Sequence, residues 1–244
     1  RRDPPRSWRE EIAVVVVSLL ASLAGLPNQF AFDDVLLVQQ NARVHDLAHF
    51  REILTQPYWP PPFNPELYRP IATFIVALQY VIGDGAPLIF RLASYLLYAA
   101  VALAVLALGR RLLGARGAVV AALLFAAHPV HVEAVALAVN QGELIVALLT
   151  LLLVTHYLEI RATGEPSRTD WGVFAAMYVA AALTKEHAFV VPALLIATEV
   201  LLVTPERPIA TRLKRLGPGF AALSVAGLAA LMLRTVVLAG RVSG

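Results

Sequence analysis

PLIFRLASYLLYAAVALAVLAL, residues 87 to 108, is an apolar run of 22 residues that ends at Gly109-Arg110-Arg111. A helix of that length, at about 1.5 Å per residue, covers the ~30 Å hydrocarbon core of a bilayer. The rest of the chain repeats the theme. Of 244 residues, 59% are hydrophobic and 15% charged, against roughly 25% charged in a soluble domain, and the mean hydropathy is +0.69. The chain therefore reads as an all-α polytopic membrane protein. Its basic residues fall in three clusters: Arg1, Arg2, Arg6 and Arg9; Arg110, Arg111 and Arg116; and Arg207, Arg212, Lys214 and Arg215. Short-loop clusters of this kind remain cytoplasmic. They flank apolar spans and form no separate basic domain, so the pI of about 9.4 does not point to nucleic acid. Without cysteine, disulfide, thiolate-metal and cysteine-nucleophile chemistry are excluded.

Working back from residue 87, Ile71 to Ile82 is apolar but too short to span, and Gly83-Asp84-Gly85 ends it. The expectation is an interfacial or re-entrant helix. Residues 28–70 form a polar, proline-rich first extracytoplasmic loop. Within it, Val44, Leu47, Phe50 and Leu54 have the spacing of one amphipathic surface helix. The first span, Ile12 to Leu26, precedes that loop. Gly25-Leu26-Pro27 is a poor signal-cleavage site, so the amino end is expected to stay attached and cytoplasmic. Trp8, Trp59 and Trp171 read as membrane-belt residues.

Forward of residue 108, the run after Arg116 is interrupted by His128-Pro129-Val130-His131-Val132-Glu133, where proline removes a backbone donor and breaks the helix. Leu144 to Ile160, Trp171 to Leu183, Ala188 to Val203 and Gly217 to Leu238 supply the remaining spans, with 204–216 as a basic cytoplasmic loop. The expected architecture is one membrane domain over 1–244 with about seven transmembrane helices. Counting crossings places Asp33-Asp34, Glu66 to Pro70, His128 to Glu143 and Lys185 to His187 on the outer face.

That face carries the candidate chemistry. Adjacent carboxylates repel, which raises one pKa unless a cation intervenes, so Asp33-Asp34 offers a base or a hard metal ligand, with an Asx turn as the alternative. Asp34 and Glu66 are the candidate ligands of a divalent ion. Arg69 suits a phosphate, which a guanidinium binds bidentately, or a snorkelling contact with headgroups. Lys185 and Glu186 read either as a local ion pair or as a cation for phosphate with the carboxylate that orients it. His128, His131 and Glu133 suggest metal ligation or substrate hydrogen bonding, although Pro129 interrupts any helix that would align the two rings.

Phe32-Asp33-Asp34, Asn41, Tyr68-Arg69-Pro70, His128-Pro129-Val130-His131-Val132-Glu133-Ala134-Val135 and Thr184-Lys185-Glu186-His187 occur in the order found in the transmembrane and tetratricopeptide-repeat O-mannosyltransferases and their bacterial relatives. The chain thus resembles GT-C-type glycosyltransferases from about residue 30 to 200. The resemblance implies a partial GT-C-like fold in a bacterial inner membrane, a polyprenyl-phosphate sugar donor and transfer to an acceptor, such as a protein, on the extracytoplasmic side. It implies that Asp33 or Asp34 is the general base, with or without a divalent ion. Arg69 and Lys185 would hold the donor phosphate, and His131 and Glu133 would shape the sugar or acceptor pocket. Asn140-Gln141-Gly142-Glu143 stands where that family commonly has an arginine, and seven spans without repeats would make the chain a fragment or a short form. A non-catalytic subunit packed against partner membrane subunits is therefore the competing class; a flippase is a third.

Overall fold

The computed structural model describes residues 8–63, 66–203 and 208–242; Arg1, Arg2, Arg6 and Arg207 of the basic clusters lie outside the described residues. Among the described residues there is no strand. The helices are α1 (Trp8–Ser22), α2 (Phe50–Thr55), α3 (Pro70–Gly83), α4 (Pro87–Leu112), α5 (Gly114–Ala127), α6 (Val132–Ala136), α7 (Gln141–Thr163), α8 (Arg168–Ala182), α9 (Val191–Leu201) and α10 (Ile209–Val242).

Ion pairs fix which helix ends lie together. Arg110 joins Glu10 and Glu11 at 2.8 and 2.9 Å, Arg111 joins Glu159 at 2.6 Å, and Arg161 and Arg212 both meet Glu199 at 2.9 Å. The start of α1, the ends of α4, α7 and α9, and the start of α10 thus share a basic end. At the opposite, acidic end, Arg69 and Arg234 meet Glu186 at 2.7 and 2.9 Å, and Lys185 meets Glu143 at 2.6 Å. Helices α1, α4, α5–α6, α7, α8, α9 and α10 therefore alternate in direction between two ends. By contrast, α3 starts at Arg69 and leads directly through Gly83 into α4 at the acidic end, where Gln79 bonds Gln141 at 2.6 Å. It lies at one end without crossing, as its length predicts.

Among the described residues, three helices are long and apolar enough to cross a membrane, Pro87–Leu112, Ala138–Thr163 and Ile209–Ala239. A fourth results if Gly114–Ala127 and Pro129–Ala136, bent by 49°, count as one span. The other three of the seven expected spans are short: among the described residues α1 and α8 have 15 residues each and α9 has 11, below the ~20 a perpendicular span needs. Polar Thr184-Lys185 stops α8, and Pro192 opens α9 only after a 3-10 segment, Glu186–Val190. Exposed Val225, Met232 and Val236 on α10, and Leu96 and Leu124 on α4 and α5, give the bundle an apolar exterior, which suits lipid contact.

Two expectations change. The single amphipathic helix of the first loop is replaced by 3-10 turns at Ala42–Val44 and Leu47–His49 followed by α2, because Asn41 and Asp46 cap successive turns through their side chains. The basic loop of 204–216 becomes helix from Ile209, so Arg212 is a buried residue of α10. The break at the histidine motif is as expected: His128 is extended and its Nδ1 accepts from Val130 N at 3.1 Å. Small residues let α10 approach α8, as in membrane helix pairs generally. A Cβ at Gly219 would stand 2.0 Å from the Trp171 ring, and one at Gly227 2.4 Å from the Tyr178 hydroxyl.

Candidate active site

The two neighbouring aspartates do different things. Phe32, 82% exposed, adopts φ 51°, a left-handed conformation that costs a bulky residue about 1–3 kcal/mol. The turn it makes leaves Asp33 exposed and Asp34 at 0% exposure. Both oxygens of Asp34 accept backbone N–H groups at 3.0 Å, from Ala138 and Val139. Burial pushes the Asp34 carboxyl above the usual aspartate range, against those two hydrogen bonds and the nearby Arg91 charge. Asp34 is thus a clamp between the first loop and the entrance to α7, and Asp33 is the carboxylate left facing outward.

The loop beneath the pair is held by Arg43, which donates to Pro57 O at 2.9 Å and Tyr58 O at 3.3 Å and to Asn41 Oδ1 at 3.2 Å. This places buried Tyr58 with its ring 5.1 Å from the Arg69 guanidinium. Burial pushes the phenol up; Arg69 opposes the shift, and Asp33 and Asp34 add to it. Tyr58 thus packs against Arg69, and the charges of both aspartates act on its phenol.

Arg69, at the N-cap of α3, donates through Nε and Nη2 to Glu186 at 3.0 and 2.7 Å. Arg234 of α10 adds a second guanidinium to Glu186 and donates to Glu66 O at 2.9 Å. Two cations sharing one carboxylate leave this trio net positive. Lys185 does not pair with Glu186, as a local pair would, but with Glu143 of α7, which also lies 3.5 Å from His187. Burial works to raise the Glu186 carboxyl, but its hydrogen bonds and the charges of Arg69 and Arg234 outweigh it, and its pKa falls below the usual glutamate range. A depressed acid pKa stabilises the fold above the ordinary glutamate pKa, and that contribution is lost as pH falls through the folded value. The melting temperatures of wild type and Glu186→Gln are therefore expected to differ by a constant amount at neutral pH and to converge on acidification. A gap unchanged into strong acid would contradict the tie.

The histidines face elsewhere. His128 and His131 line a cavity of about 460 Å³ with Asn28, Tyr95 and Tyr98, between α1, α4 and α5–α6; Asp33, Arg69, Lys185 and Glu186 are not among its lining residues. His131 Nδ1 is 3.1 Å from the Tyr98 hydroxyl, which also reaches Phe125 O at 3.0 Å. Glu133 is exposed. The acidic end thus carries two neighbouring regions, with Asp34 bonded to the 3-10 turn Ala138–Asn140 just after α6. Among the described residues, no group of three His, Cys, Asp or Glu side chains converges to hold a metal. The divalent site expected at Asp34 and Glu66 is not assembled, because both Asp34 oxygens are already engaged by N–H donors and Glu66 enters the cluster through its backbone carbonyl.

Three participants escaped the sequence reading: Tyr58, Arg234 and Arg91, whose Nη2 donates to Gln29 O at 2.8 Å. Both arginines lie inside apolar runs, and an ionisable residue there is itself a functional signal.

Comparison with known proteins gives the family of the chain. Protein O-mannosyl-transferase TMTC3 of Mus musculus is 29% identical over 80% of this chain and 22% of its own length. TMTC3 of Homo sapiens is 27% identical over 71% of this chain and 20% of its own, and Tmtc2 of Drosophila melanogaster 34% identical over 65% and 18%. The chain spans about a fifth of the length of these curated relatives. No solved structure matches it. The sequence profile of dolichyl-phosphate-mannose-protein mannosyltransferases matches residues 64–238, from just before Arg69 to just after Arg234, and the chain is an integral membrane protein belonging to that glycosyltransferase family.

Proposed function

We propose that the chain forms a membrane glycosyltransferase site that moves mannose from a polyprenyl-phosphate donor to a protein hydroxyl. The acidic end faces the extracytoplasmic side of a bacterial inner membrane, the amino terminus is cytoplasmic, and the seven alternating segments are the crossings. The observation that carries this reading is the split of the acidic pair: Asp33 is exposed while Asp34 is engaged in holding the backbone, at the same end of the bundle as the net-positive Arg69–Glu186–Arg234 trio.

In this reading Asp33 takes the proton of the acceptor hydroxyl. The acceptor oxygen bonds to the anomeric carbon as that carbon's bond to the phosphate oxygen breaks. Polyprenyl phosphate leaves with the added negative charge, toward Arg69, Arg234 and Lys185, where fixed cations stabilise the charge as it develops. His128 and His131, which line the neighbouring cavity, would meet only a part of the sugar or acceptor that extends beyond the reacting atoms. No step requires a metal ion. The subunit reading rested on the short form as well as on the arginine absent from Asn140 to Glu143; Arg234, which brings a guanidinium to the site from α10, answers the second of these.

Charge-assisted hydrogen bonds contribute about 1.5–3 kcal/mol, so Arg234→Gln is expected to raise KM for polyprenyl-phosphate mannose at least about tenfold with the acceptor KM unchanged. Initial rates in membranes carrying the full reading frame test this. An unchanged donor KM, or equal use of a nucleotide-linked mannose, would contradict the assignment.

A further inference from the structure

At the basic end a second charged site stands apart from the one above. Glu199 of α9 is 0% exposed and accepts from Tyr157 Oη at 2.9 Å, from Arg161 Nε and Nη2 at 2.9 and 3.1 Å, and from Arg212 Nη1 at 2.9 Å. One carboxylate therefore serves two guanidinium groups, leaving one positive charge in excess. Arg212 is 6% exposed, and its Nε is buried without a partner. Both arginines line a cavity of about 740 Å³ together with Thr163, Gly164, Glu165 and Arg215. Glu165 pairs with Arg215 at 3.2 Å on its rim and its charge also acts on Arg161, so the three arginines of the lining face two carboxylates, Glu165 and Glu199, and one positive charge remains in excess.

A buried, uncompensated cation is costly unless an anion meets it. The place narrows the choice of anion. Arg161 lies 20 residues along α7 from Gln141, about 30 Å at 1.5 Å per residue, which is the thickness separating one headgroup layer from the other. Guanidinium forks match phosphate oxygens, and a phosphodiester carries the single negative charge that the excess requires. From this we infer that the cavity binds the phosphodiester headgroup of an anionic phospholipid, held by Arg161 and Arg212, with Arg215 at its mouth.

The site is separate from the proposed transfer chemistry and is tested by lipid retention. The full protein is exchanged into nanodiscs of phosphatidylcholine alone or with phosphatidylglycerol, and retained lipid is counted by native mass spectrometry alongside the melting temperature. Wild type is expected to retain phosphatidylglycerol selectively and to melt higher with it. Gly164→Glu is expected to abolish that retention: a Cβ there meets nothing within 4 Å, so the added carboxylate can reach the arginines without displacing them. Arg215→Gln, at a half-exposed rim position, is expected to weaken retention about fivefold, the effect of one basic residue at an anionic surface; it carries the test alone if Gly164→Glu melts lower in phosphatidylcholine. No preference for phosphatidylglycerol in wild type, or wild-type retention in the variants, would overturn the site. Inorganic phosphate that stabilises the lipid-stripped protein as much as phosphatidylglycerol does would overturn the lipid as its source.

Discussion

Asparagine in place of Asp33 is expected to lower sugar transfer by about 10²–10⁴-fold, the contribution of a positioned general base, with no change in melting temperature. The Asp33 side chain is exposed and, unlike that of Asp34, ties down no backbone group among the described residues, so an isosteric amide removes only its basicity. The matched substitution one residue on behaves differently. In Asp34→Asn only one side-chain oxygen remains for the Ala138 and Val139 N–H groups, which now share two carboxylate oxygens. One buried donor is left unmet at a cost of about 1–3 kcal/mol, so both stability and activity fall. Initial transfer rates and melting curves on the two variants separate a base from a clamp. Full activity in Asp33→Asn, or unchanged stability in Asp34→Asn, would contradict the division of labour.

The largest effect on stability is expected from Glu199→Gln. Removing the partner of a buried ion pair costs about 3–5 kcal/mol because the remaining charge stays buried, and here two guanidinium groups, Arg161 and Arg212, depend on one carboxylate. The exposed pair Arg111–Glu159 at the same end is the control: its side chains are 26% and 45% exposed, and Glu159→Gln should cost at most about 1 kcal/mol. Melting temperatures in one detergent test the contrast. Equal losses in the two variants would mean that Glu199 does not tie α7, α9 and α10.

The sequence was informative where the physics is local. Apolar run lengths, the basic clusters between them and the proline in His128-Pro129 reported the helices, their alternation and the bend. The twelve apolar residues from Ile71 were too few to cross, and α3 does not cross. The reading was weaker where a contact joins distant residues. Nothing near Asp34 announces Ala138 and Val139, 104 and 105 positions away, so the two aspartates looked equivalent. Lys185 and Glu186 looked like partners because they are adjacent, yet the chain turns them to Glu143 and to Arg69 with Arg234. Arg91, Glu199 and Arg234 were hidden by the apolar residues around them, although a charge at membrane depth is itself the clue.

Mannose transfer from a lipid phosphate at this acidic end, with Asp33 as base, is the proposed reaction. Its most direct test is the movement of radiolabelled mannose from polyprenyl-phosphate mannose to a protein acceptor, in membranes carrying the full reading frame as wild type or Asp33→Asn. Protein-bound label with the wild type and almost none with the variant is the predicted result. Equal label with both, or none with a folded wild type, would contradict it.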